Sequence, residues 1–284
     1  MYNNAHVLLR VISCFVLLIS APGVVTAQDL EYPRSIAVDG MGRIYVADAG
    51  ARAVFRLEGG GRPVTLARAE AKYPTPLYSV SGIAVGPGGE IAVSDSGSSN
   101  VYRIVGGKPV PVADPDPKKN PFSKPQALAY DAAGDLIVPD LGEQAVFRVS
   151  GSRVARVAAV DAPTGVSVDK AGNILVVSAS KRRLTRIDRA GKTASIAEGA
   201  PFEFPLAVAT HPDGGYVVAD GYAQAVFKVT PDGKVSVLAK GGPFRHPDGI
   251  AAEPGGSFVV VDPSAKAVLR VGQDGKVSVI HSWK

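Results

Sequence analysis

Pro205–Ala239 reads PLAVATHPDGGYVVADGYAQAVFKVTPDGKVSVLA, and its spacing decides the fold. Four short apolar runs, Leu206–Ala209, Tyr216–Ala219, Ala225–Val229 and Val235–Ala239, are separated by turn-forming residues, His211–Gly214 and Pro231–Gly233 among them. Runs of about five residues, bounded by Gly, Pro and Asp, predict a four-stranded antiparallel meander.

The same unit recurs six times at fixed offsets. Its turn-in residue falls at Pro33, Val80, Pro125, Pro163, Pro205 and Pro247, and nine residues later comes Gly42, Gly89, Gly134, Gly172, Gly214 or Gly256. Glycine is expected where a hairpin turn needs a positive φ. Fifteen residues after the turn-in position stand Asp48, Asp95, Asp140, Ser178, Asp220 and Asp262, and eight further on Arg56, Arg103, Arg148, Arg186, Lys228 and Arg270. Successive copies of the first of these positions lie 47, 45, 38, 42 and 42 residues apart, so length varies only around the fourth strand and the link. A four-stranded unit repeating near 42 residues predicts an all-β, six-bladed propeller, with blades at 32–67, 80–113, 125–158, 163–197, 205–239 and 247–281. Six meanders that cannot cover their apolar faces alone must pack around a ring, so residues 28–284 form one domain. With first strands at one terminus and a fourth strand at the other, no blade is shared between the ends.

Apolar residues make up 46% of the 284-residue chain, enough for a large core. Lys and Arg exceed Asp and Glu by only 31 to 26, and most basic residues fall on the repeated third strand or on outer strands. That distribution predicts solvated blade surfaces, with no nucleic-acid partner. Residues 1–27 differ: Arg10 precedes the apolar run Val11–Ile19, and Val25, Thr26 and Ala27 are small residues suited to cleavage, so a signal peptide and export to a periplasm or extracellular space are expected. Nine apolar residues are too few to span a bilayer. The single cysteine, Cys14, lies inside this segment, which leaves the mature chain without disulfide or thiol chemistry; a monomer is expected.

Acid and base eight residues apart flank the hairpin between the second and third strands. The acid is expected to accept turn N–H groups and to face the base, as a structural device repeated once per blade. Unit four departs from this pattern. Ser178 replaces the acid, Thr185 replaces the aromatic found at Phe55, Tyr102, Phe147 and Phe227, and Lys181, Arg182 and Arg183 form the only basic cluster.

Pro33-Arg34-Ser35-Ile36-Ala37-Val38-Asp39, Pro163-Thr164-Gly165-Val166-Ser167-Val168-Asp169 and Pro247-Asp248-Gly249-Ile250 resemble the NHL repeat. The resemblance covers 32–281 and implies a six-bladed ring, a form that serves related proteins as a protein-binding, carbohydrate-binding, nucleic-acid-binding or enzymatic scaffold. In such rings strand entries, the turns between second and third strands and the inter-blade links share one face, where ligands sit. This implies a channel mouth ringed by Arg34, Ser81, Gln126, Thr164, Leu206 and Asp248. Aromatics around it, Tyr32, Tyr73, Tyr78, Phe122, Phe202, Phe204 and Phe244, are either plugs between blades or platforms for a ligand. The two longest links, 68–79 and 114–124, nominate Tyr73, Tyr78 and Phe122 as platform.

The expected function is a binding or interaction scaffold for a protein, small molecule or carbohydrate, with no catalytic residue and no cofactor. Two enzymatic likenesses supply the alternative. The gluconolactonase-like family holds a divalent cation such as calcium through a Glu near the first blade, middle-blade Asn residues and an Asp in a Pro-Asp-Gly context. Asp248 resembles the last of these and Glu31 the first, but Gln126, Thr164 and Leu206 stand at the middle entries, and Leu206 offers no oxygen. Propeller lyases use His, and of His211, His246 and His281 only His246 falls near the mouth, beside Asp248. Asp248 also has a simpler expected partner, Arg34 across the channel.

Overall fold

The computed structural model describes residues 29–71, 75–114 and 119–284. The expected signal segment, Cys14 and Tyr73 therefore lie outside the described residues. Among those described, twenty-four strands form six four-stranded antiparallel sheets, the six blades anticipated from the repeat. Blade five runs Pro205–Thr210, Tyr216–Asp220, Ala225–Val229 and Val235–Lys240, within a residue or so of the limits set by its turn residues.

Each second strand is covered on both faces by neighbouring blades. That is why Tyr216–Asp220 and Phe258–Asp262 are buried at every position and why their sequences are apolar in succession instead of alternating. Outermost strands show the opposite: Val237 and Val279 are exposed. The nine-residue offset glycines, Gly42 to Gly256, all sit at φ between 78° and 91°, the left-handed region that a Cβ resists.

Apolar side chains meet mainly between blades. Blades four and five share Leu175, Leu184, Phe202, Tyr216 and Phe227 among others, with Phe202 edge-on to Phe227 at 5.6 Å. Burying one such ring contributes about 2–3 kcal/mol. The ring closes without strand exchange, since Pro33–Val38 begins one sheet and Val277–Ser282 ends another. Leu30 and Trp283 join Phe55, Val259 and Val268 in the cluster between blades one and six, and His281 Nε2 lies 2.8 Å from Asp29 Oδ1.

The repeated acid and base do not face each other, which corrects the expectation from their spacing. Asp48 pairs in register with Ala53, and Tyr45 with Arg56, so acid and base stand at opposite ends of one hairpin. The acid is a staple. Asp220, with no exposed surface, accepts N–H groups of Glu203 and Phe204 at the blade's entry and of Ala223 in the turn, at 2.8–3.0 Å. Asp48, Asp95, Asp140 and Asp262 make the same connection. The bases serve the far face: Arg148 bonds Asp131, Lys228 bonds Asp213, Arg270 bonds Glu253, and Arg56 bonds Glu58. Arg103 lies beside the Tyr130 hydroxyl of the next blade.

Candidate functional site

A β-bulge builds the mouth. In blades one, two, four and five the register between first and second strands slips by one residue immediately after the turn-in position. The extra residue, Arg34, Ser81, Thr164 or Leu206, is thereby left out of the ladder and re-aimed, as bulges do. Gln126 and Asp248 hold the corresponding places in blades three and six, where their N–H groups bond Pro139 and Val261 carbonyls. All six border one cavity of about 300 Å³ on the ring axis.

Close approach of the first strands keeps this cavity narrow. A Cβ on Gly165 would stand 2.5 Å from the Leu206 carbonyl oxygen, and one on Gly82 equally close to that of Gln126. Hydroxyls at the mouth are spent on backbone: Ser81 Oγ donates to the Pro125 carbonyl at 2.8 Å and Thr164 Oγ1 to that of Val177 at 3.1 Å.

The charged groups form a chain. Arg34 Nε lies 3.4 Å from Asp248 Oδ2, and His246 Nδ1 lies 2.5 Å from Asp248 Oδ1. The Asp248 side chain is buried while that of Arg34 is 42% exposed. The Asp248 carboxylate raises the His246 pKa above its ordinary value, against the opposing effect of burial. An imidazole held this way keeps its proton to higher pH than a free one and presents a cationic edge while protonated. Tyr222, 62% exposed, stands edge-on to His246 at 5.6 Å and stacks on Phe204 at 4.5 Å. Gly221 makes room for the arrangement, since its Cβ would fall 2.6 Å from the imidazole.

The other nominated residues divide. Phe122 is 5% exposed and edge-on to Phe147 at 5.7 Å; it seals blades two and three and offers no platform. Phe202 and Phe244 are likewise plugs. Tyr78 stays partly exposed outside the cavity, with the Arg52 guanidinium 4.7 Å over its ring. Glu31 is exposed and does not border the cavity, its N–H bonded to Asp48. With Asp248 engaged by Arg34 and His246, the residues present do not fit a divalent cation, and among the described residues no group of three His, Cys, Asp or Glu could hold a metal. His211 sits in a turn beside Asp213 and His281 on an outer strand beside Asp29. Lys124, Ser79 and Ser96 also border the cavity and Tyr222 flanks it; spacing nominated none of them. Tyr222 does have a sequence signal: copies at its offset carry Gly50, Gly97, Gly142, Ser180 and Ser264.

No family model and no curated protein sequence matches the chain. Solved structures do. Virginiamycin B lyase from Staphylococcus aureus superposes with a TM-score of 0.69 at 15% identity, covering 88% of this chain and 84% of that one. A gluconolactonase from Xanthomonas campestris gives 0.70 at 16% identity over 83% and 84%. An auxiliary nutrient binding protein from Bacteroides thetaiotaomicron gives 0.67 at 11% identity over 89% and 70%. At such identities the likeness shows the six-bladed fold alone.

Proposed function

We propose that the protein is an exported binding propeller that takes a small polar ligand at its channel mouth. One observation carries the proposal. Six residues, each from the entry of a different blade, converge on a 300 Å³ cavity in which a half-exposed arginine is anchored by a buried carboxylate. An anchored guanidinium loses little freedom when it engages a ligand, so more of the contact energy reaches affinity. The Phe204–Tyr222 pair adds an apolar wall for a ring or a sugar face. A structural neighbour that binds nutrients supports the idea without specifying the ligand.

A second reading rests on the His246–Asp248 pair, an imidazole oriented by a carboxylate and partly open to solvent, which has the form of a general acid or base. It would make the ring a lyase or lactonase. A thermal-shift panel of soluble sugars, peptides and lactones separates the two. Binding predicts that at least one compound raises Tm and that Arg34→Ala abolishes the rise while the compound is recovered unchanged. Turnover of a lactone or ester by the wild type, lost in His246→Ala, would replace binding by catalysis. A panel without any response would remove both.

A further inference from the structure

Blade four inverts the chemistry of the staple. In four of the other blades the buried Asp stands opposite an alanine in register, as in Asp48–Ala53, Asp140–Ala145, Asp220–Ala225 and Asp262–Ala267. Here Ser178 stands opposite Arg183, so a negative charge and a methyl give way to a hydroxyl and a guanidinium. Ser178 is 1% exposed, and among the described residues its hydroxyl makes no hydrogen bond, although the same position in five blades accepts three or more. Arg183 Nε is buried without a partner, while its Nη2 holds Glu198 at 2.7 Å.

The donors that an aspartate would collect face solvent instead, with Asp161, Ser180 and Lys181 exposed. Asp161 and Ala162 at the entry and Ser180 and Lys181 in the turn correspond to the staple's donors in other blades, and none of their N–H groups finds an acceptor among the described residues. The Ala179 N–H is in the same position: its equivalents at Ala49, Ser96, Leu141 and Gly221 each bond the entry carbonyl. Ala162 takes φ 44°, a left-handed conformation that costs a residue with a Cβ of order 1 kcal/mol. Asp161 does not take the staple's place, since its side chain is 59% exposed and pairs with Lys181 at 4.0 Å, acting on Arg183 only through its charge.

From this the geometry points to an external carboxylate at blade four, lodged against Ser178, Arg183 and the entry and turn amides, in the place that aspartate fills elsewhere in the ring. Backbone N–H groups gathered at a turn, with a guanidinium beside them, bind a carboxylate through charge-assisted bonds. Lys181 and Arg182, both exposed on the same turn, add attraction toward the opening. The carboxyl group is carried either by a small free acid or by an acidic side chain.

The test is Tm in sodium acetate against sodium chloride at equal ionic strength. At acetate tenfold above its Kd the wild type should gain about 3 °C over chloride. Ser178→Asp should raise Tm in chloride and erase the acetate gain, which also controls for a general salt effect. Arg183→Ala should cut the gain by half or more, and should carry the test if Ser178→Asp does not fold. Arg34→Ala should keep the gain, which separates this site from the mouth. Equal Tm in acetate and chloride, or a full gain retained in Ser178→Asp and Arg183→Ala, overturns the inference. A capped glutamyl peptide titrated in parallel assigns the source: half-saturation tenfold below that of acetate marks an acidic side chain, and equal or weaker binding marks a free acid.

Discussion

Blades five and four are neighbours built on one pattern, and they are secured in different ways. Blade five is tied at its entry by Asp220, which collects three backbone donors inside the fold, and is sealed to blade four by Phe202, Phe227 and Tyr216. Blade four lacks the tie. Its junction with blade three is made by Ile137, Val146, Val160, Val166, Ile174, Val176 and Ile187, among the described residues the one inter-blade cluster whose buried members include no aromatic ring. The lost acid and the lost aromatic thus fall in one sector, together with the left-handed Ala162. A ring that closes by packing tolerates one weaker sector because five others hold its curvature. That tolerance leaves blade four able to exchange an internal contact for an external one.

The largest expected effect breaks this comparison directly. Asp220→Ala should lose about 3–5 kcal/mol in urea unfolding, because three N–H groups inside blade five are stranded at roughly 1–2 kcal/mol each. Ser178→Ala should cost less than about 0.5 kcal/mol, since the hydroxyl has no bond to lose. Comparable losses at both positions would mean that the staple is dispensable and that blade four is not the weaker sector.

The offsets made the blades legible because turn chemistry is local: a glycine with positive φ, a proline at strand entry and an apolar second strand are each dictated by their own neighbours. The offset between Asp48 and Arg56 does not bring them together, for a geometric reason. Around a four-residue turn, residue i meets i+5, which places Ala53 opposite the acid and carries Arg56 three residues down the strand. The mouth was legible as far as one entry residue per blade places it; its aromatic wall was not, because Tyr222 depends on where one turn lies over the next blade's entry. Phe122 falls on the sealing side of the same division, against its place in a long link. Composition cannot tell a ring that seals two blades from one that waits for a ligand, since both are aromatic residues in a link.

An intermediate effect concerns the mouth of blades five and six. The His246 pKa is raised in the folded protein, chiefly by the Asp248 hydrogen bond. The pair therefore adds stability that is fully present below the unfolded value of about 6.5 and is lost as pH rises through the folded value. Asp248→Asn should remove that dependence, and an NMR titration should show the His246 midpoint falling toward or below its ordinary value. A midpoint unmoved by the substitution would separate His246 from Asp248 and remove the charged chain from the mouth.

The smallest effect tests the repeated base. Arg270 and Glu253 bond at 2.7 Å, with the arginine side chain 44% and the glutamate side chain 10% exposed, and a pair open to solvent on one side contributes about 0.5–1 kcal/mol. The guanidinium holds the Glu253 carboxyl below its ordinary pKa, so the contribution exists above the unfolded glutamate pKa and is lost as pH falls through the folded one. Arg270→Ala should lower stability by no more than about 1 kcal/mol at pH 7 and by less at pH 4, measured by urea unfolding. A loss near that of Asp220→Ala would assign the base a share in holding the blade together, and the division of labour between a buried staple and a half-exposed ion pair would fail.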